Sequence, residues 1–125
     1  MLSIITTGCS QPTEVQKEVG ESMKIKIDAK TAKSMMETES DFIILDVRTQ
    51  EEYNEGHIAN AVLLPNDQIG DKASDVLPDK DQMILIYCRS GNRSGQALEK
   101  LAELGYTQLY DFGGIIDWPY EVVTE

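Results

Sequence analysis

The sequence predicts an α/β domain built on a mainly parallel sheet. Three observations carry this expectation. Phe42-Ile43-Ile44-Leu45 and Met83-Ile84-Leu85-Ile86-Tyr87 are continuous apolar runs of strand length, the pattern of strands covered on both faces. The segments between the strand runs have helical spacing or turn residues. The clearest helix is Ser94 to Leu104. Its Ala97, Leu98, Leu101 and Leu104 share one face, and Gly105 stands at the C′ position.

The remaining elements follow in chain order. Ile25 and Ile27 alternate with Lys24 and Lys26, a short edge strand with one wet face. Asp28 is an N-cap for a helix whose stripe is Ala29, Ala32, Met35 and Met36. Thr49 caps a short helix over Gln50 to Glu55, and Gly56 ends it. Val62-Leu63-Leu64 is a short strand stopped by Pro65. Leu109-Tyr110 forms a last short strand before Gly113-Gly114. There is no internal repeat and no low-complexity tract.

With 125 residues, 41% of them apolar, the chain supports one core and one domain. No apolar run approaches the roughly 18 residues that cross a membrane. The net charge of −11 argues against nucleic acid or an acidic membrane surface as main partner. Two cysteines and one histidine exclude a disulfide scaffold and argue against a zinc site. Neither a metal nor a cofactor is expected, and the expected state is a monomer.

Residues 1–23 read as a tether and residues 24–125 as the domain. Gly8-Cys9 after a short apolar run resembles the end of a bacterial lipoprotein signal, in which the Cys is lipidated. The basic n-region is absent, and Thr6 stands where an aliphatic residue is usual. The alternative is an N-terminus with an incidental Cys. The compartment is therefore open between cell envelope and cytoplasm, and any membrane contact would run through a lipid on Cys9. In an oxidising compartment a Cys9–Cys88 disulfide would block Cys88.

The chemistry concentrates in Cys88-Arg89-Ser90-Gly91-Asn92-Arg93-Ser94. A buried strand ends here and a helix begins, the place where open α/β sheets bind ligands. A helix N-terminus offers unpaired N–H groups and partial positive charge. Arg89 and Arg93, two of the three arginines in the chain, add to it. Both effects favour thiolate over thiol at Cys88. Gly91 lets successive N–H groups turn inward into an anion nest. The plain alternative is a small buried cysteine at a strand end with solvated arginines.

These residues resemble the rhodanese-like sulfurtransferases in their single-domain form. The active loop of that family, Cys-x-x-Gly-x-Arg-Ser/Thr, is matched by Cys88 to Ser94. A second motif is matched by Asp46-Val47-Arg48, Glu52-Tyr53 and Gly56-His57-Ile58, continuing into Ala61 and Pro65. The closing Gly-Gly and Trp are matched by Gly113, Gly114 and Trp118. The resemblance covers about Lys24 to Tyr120. It implies a three-layer domain with a five-stranded sheet flanked by helices. It also implies transfer of sulfane sulfur, from thiosulfate or another small anionic donor, through a persulfide on Cys88. The acceptor would be cyanide, a thiol or a protein. Arg89, Ser90, Gly91, Asn92, Arg93 and Ser94 would bind the substrate.

Phosphatase and arsenate-reductase relatives place five residues between Cys and Arg, whereas four lie between Cys88 and Arg93. The shorter loop fits sulfur transfer. A noncatalytic docking or persulfide-carrier module is the rival reading. Four other residues are assigned supporting roles. His57 is read as fixed by hydrogen bonds rather than as a base. Asp46 would orient a loop arginine or cap a turn. Arg48, four residues before Glu52, would make at most a modest surface contact. Glu51 and Glu52 read as first-turn helix charge. Trp118 would either shape the mouth of the loop or pack in the core.

Overall fold

The apolar runs form the centre of a single sheet. In the computed structural model, residues 22–125 are described. Cys9 and the rest of the tether through residue 21 lie outside them. Met23, placed with the tether by sequence, is the first residue of strand β1 (Met23–Lys26). Ser22 is already tied to the domain, its hydroxyl donating to the Tyr106 carbonyl at 2.6 Å.

The strands that follow are β2 (Phe42–Asp46), β3 (Val62–Leu63), β4 (Met83–Cys88) and β5 (Gln108–Gly114). They form a five-stranded sheet in the order β1-β5-β4-β2-β3, and every pairing is parallel. Four helices connect them: α1 (Ala29–Thr38), α2 (Gln50–Glu55), α3 (Ile69–Val76) and α4 (Asn92–Glu103).

Successive side chains on a strand point to opposite faces, so β4 serves two cores. Ile84, Ile86 and Cys88 pack with α3 and α4 in one cluster that includes Ala73, Ala97 and Leu101. Leu85 and Tyr87 pack in the other, with Ala32 of α1, Phe112 and Trp118. Three layers result. Side-chain caps hold two helices: Asp28 accepts the Thr31 N–H at 2.8 Å, and Thr49 and Glu52 form a reciprocal capping box on α2. At the end of α4, Gly105 and Tyr106 donate back to the carbonyls of Ala102 and Leu101.

Two features depart from the sequence expectation. Helix α3 was not anticipated. It has no side-chain cap, and its buried residues are only Ile69 and Ala73, too thin a stripe to read. The last strand, expected at Leu109-Tyr110 alone, runs through Asp111 to Gly114. Flanked by β1 and β4, it accommodates residues with poor strand propensity. Its register against β4 slips between Ile86 and Cys88. Ile86 pairs with Asp111, whereas Cys88 pairs with Gly114. The extra residue is a bulge at the carboxyl edge of the sheet, beside the loop.

Candidate active site

Cys88 ends β4 with 1% of its surface exposed, and α4 begins four residues later. The loop between them closes over the sulfur. Gly91 takes a left-handed backbone conformation, φ 103°, and its N–H donates to Cys88 Sγ at 2.9 Å. Burial pushes the thiol up. The Ser94 hydroxyl and the N–H groups of Ser94, Gly91 and Ser90 pull it down, and together they prevail, so Cys88 ionises below the ordinary thiol range. Gly114 lies under the same loop. A Cβ there would collide with the Arg89 carbonyl and with Ser90 Cα, so only glycine allows this approach.

The two loop arginines have different situations. Arg93 is gripped by Glu52 through both nitrogens of its fork, at 2.8 and 2.9 Å. Those hydrogen bonds, helped by the Thr49 N–H against the cost of burial, hold the Glu52 carboxyl down to about 2. The Arg93 fork is therefore engaged, and it acts on Cys88 through its charge. Arg89 is exposed and forms no ion pair among the described residues. Ser90 and Asn92 are exposed beside it, and Ser94 is buried beneath.

Of the two roles expected for Asp46, it caps a turn, accepting the Arg48 N–H at 2.9 Å, and the arginine it orients is Arg48 rather than a loop arginine. The Arg48 side chain donates to both Asp46 oxygens, the shortest contact being 2.8 Å, and to the Gly56 carbonyl at 2.7 Å. The Tyr87 hydroxyl donates to Asp46 at 2.6 Å and accepts the Ile58 N–H at 3.1 Å. Arg48 is thus a buried partner of Asp46, and among the described residues the ion pair of Glu52 is with Arg93 instead. Burial, and then the Asp46 charge, push the Tyr87 hydroxyl far up, so it stays a neutral donor. The network braces the carboxyl ends of β2 and β4, on which the loop stands.

His57 is buried. Its Nδ1 faces the Tyr53 carbonyl at 2.9 Å, and its ring stacks on Tyr53 with centroids 3.7 Å apart. Its backbone exchanges two 2.8 Å hydrogen bonds with Val123. None of these partners is in the loop. Trp118 resolves toward core packing. It contacts Phe112 and Tyr120 and borders a groove of about 400 Å³ that contains no loop residue. The adjoining segment does touch the loop, since the Ile116 N–H donates to the Arg89 carbonyl at 3.2 Å.

The sequence reading missed two residues. Glu52 was read as helix charge and as a surface neighbour of Arg48, yet it holds Arg93. Asp111 is 1% exposed and accepts from Ser94 and Gly113, so it lies directly behind the loop. The charged residue two places before Gly113-Gly114, set between Tyr110 and Phe112, was the available signal.

The structure thus sets Cys88 at the carboxyl edge of a parallel sheet, under N–H groups that favour its ionised form, an arrangement able to serve a nucleophile beside an anion. Residues 28–119 match the rhodanese-like domain family. The chain is 37% identical to thiosulfate sulfurtransferase PspE of Escherichia coli (strain K12) over 73 residues, 58% of this chain and 70% of that protein. It is 36% identical to a sulfurtransferase of Allochromatium vinosum over 94 residues, 74% of this chain and 86% of that protein. Among solved structures, a rhodanese-related protein from Thermoplasma volcanium is similar with a TM-score of 0.70 at 31% identity, covering 81% of this chain and 99% of the other. The chain belongs to the rhodanese-like family. By the same relatives it is a rhodanese-type transferase.

Proposed function

We infer that the domain moves sulfane sulfur from thiosulfate, or a similar small anionic donor, to a thiophilic acceptor through a persulfide on Cys88. The observation that carries this reading is the contact of the Gly91 N–H with Cys88 Sγ, within a loop that lowers the pH at which that thiol ionises. The Cys88 thiolate attacks the outer sulfur of thiosulfate. The S–S bond breaks, and sulfite leaves with its electron pair. The new terminal sulfur is itself anionic and faces the loop amides, which stabilise it as they would an oxyanion. A cyanide ion or a thiolate then attacks that sulfur, and Cys88 departs as thiolate. This is covalent catalysis in ping-pong order.

The binding roles divide along the loop. The N–H groups of Ser90, Gly91 and Ser94 surround the reacting sulfur. Arg89, exposed at the rim, is the side chain available to meet the incoming anion, while Asn92 opens α4 beside it. Arg93 supplies field from behind. With only four residues between Cys88 and Arg93, the cradle is narrower than a phosphatase loop, which supports sulfur over phosphoryl chemistry.

Intact mass tests this directly. Reduced protein treated with thiosulfate should gain one sulfur at Cys88 and lose it to cyanide as thiocyanate appears. Cys88→Ser should take up none. Folded protein with a free Cys88 that gains no sulfur would refute the thiosulfate reading and favour a docking module.

A further inference from the structure

The three arginines of the chain stand near the carboxyl edge of the sheet, yet two of them have their forks filled by carboxylates. Arg48 is held by Asp46 inside the domain. Arg93 is the second residue of α4. With Thr49, Pro65, Asn66 and Asp67 it lines a cavity of about 210 Å³ between the ends of β2 and β3 and the start of α4. A guanidinium fork in such a place suits a tetrahedral oxyanion, which it can bind through two N–H groups at once. Glu52 occupies the fork instead, at 2.8 and 2.9 Å. That carboxylate is itself fixed, since its Oε1 also accepts the Thr49 N–H at 2.9 Å and the Thr49 hydroxyl at 3.1 Å. The Arg93 hydrogen bonds hold the Glu52 carboxyl down to about 2, so it is an anion across the neutral range. The capping box of α2 is complete with Thr49 alone, so it does not account for the grip on Arg93.

We propose that Glu52 is a positioning residue that withholds the Arg93 fork from oxyanions, so that the oxyanion released in loading finds no bidentate partner beside the loop. The consequence rests on the transfer reading. When thiosulfate loads Cys88, the S–S bond breaks and sulfite carries away the electron pair. Sulfite must then leave before an acceptor can reach the persulfide. A free fork would hold the sulfonate end of thiosulfate and the departing sulfite alike. Uniform binding of that kind lowers KM without raising kcat. Glu52 thus weakens the hold on the donor and favours prompt release of sulfite. The other charges lining the cavity agree with this. Asp67 repels an anion there, and Arg48 is tied to Asp46.

The test needs no sulfur transfer. Sulfate, an inert tetrahedral oxyanion, is titrated as a protectant of Cys88 against iodoacetamide. Ionic strength is held constant with sodium chloride, and mass is read on the Cys88 peptide so that Cys9 is not counted. Glu52→Gln should bind sulfate about fivefold more tightly than the wild type. A merely structural role for Glu52 predicts a looser site and weaker binding. Removing a negative charge helps any anion, so the gain must also depend on the fork. In an Arg93→Lys background, which keeps the cation and loses the fork, the same change should leave less than half of that gain. No gain in Glu52→Gln, or an equal gain in the Arg93→Lys background, overturns the proposal. Should a Glu52→Gln protein fail to fold, Glu52→Asp decides. Its carboxylate keeps the charge but is one methylene too short to span the fork from the same backbone position. Sulfate must then still bind more tightly than in the wild type; no gain refutes the mechanism. In the transfer assay, Glu52→Gln should lower the KM for thiosulfate and strengthen inhibition by sulfite, and weaker inhibition counts against the proposal. If Cys88 takes no sulfur yet sulfate protects as stated, the transfer reading fails and the role of Glu52 stands.

Discussion

Asp46 and Glu52 hold one arginine each, and their settings predict different costs of losing the charge. Arg48 is 5% exposed, so Asp46→Asn leaves a buried guanidinium without its counter-charge. Breaking such a pair costs about 3–5 kcal/mol. Arg93 and Glu52 keep about a quarter to a third of their side-chain surface in water. Glu52→Gln, which also weakens the capping box, should cost only about 1 kcal/mol. Urea unfolding of the two variants should rank them in that order; equal losses would mean that the Asp46 network is better solvated than its geometry indicates. The Glu52 carboxyl also sets a pH signature. Its folded value is depressed to about 2, so its contribution to stability is complete above the unfolded value of about 4.5 and lost as the pH falls toward 2. Glu52→Gln should flatten the stability curve in that window and leave it unchanged near neutrality, apart from a constant offset.

At the scale of elements, β5 and the loop depend on each other. Gly114→Ala places a methyl group against loop backbone, which cannot swing aside as a side chain can. The expected cost is about 1–3 kcal/mol, with a greater relative loss in the rate of sulfur loading, because the displaced atoms belong to the cradle. Gly70→Ala is the contrast. It sits inside α3 with open space around its Cβ position, so alanine should raise stability by about 0.4–1 kcal/mol. Urea midpoints and loading rates on both variants check the pair. The legible elements were those whose burial is written in period. Phe42–Leu45 and Met83–Tyr87 announced two-faced strands, and the α4 stripe announced its helix. The loop residues were legible because cysteine, arginine and glycine are rarely adjacent without chemistry. The Glu52 grip on Arg93 and the Asp111 contact with Ser94 were not legible. They join residues 41 and 17 positions apart through the sheet register, and no local pattern encodes that. The β5 bulge escaped for the same reason.

For the molecule as a whole, charge opposes the proposed substrate. The domain from Lys24 onward carries ten basic and nineteen acidic groups, net −9, and thiosulfate must approach against that field. Salt screens exposed charges beyond about 8 Å, while the loop amides act at contact. Moderate salt should therefore raise thiosulfate turnover or leave it level. A steep fall would mean that attraction by Arg89 dominates the approach. The donors to the Cys88 sulfur are largely main-chain N–H groups, and the Arg93 fork is tied to Glu52. A receptor made of peptide groups is blind to most side-chain replacement. Point mutations can reach it mainly at the glycines that shape its path and at the residues that brace it from below. On the proposed transfer, the rim around Arg89 is free to diversify toward different donors while the floor beneath the sulfur remains the same.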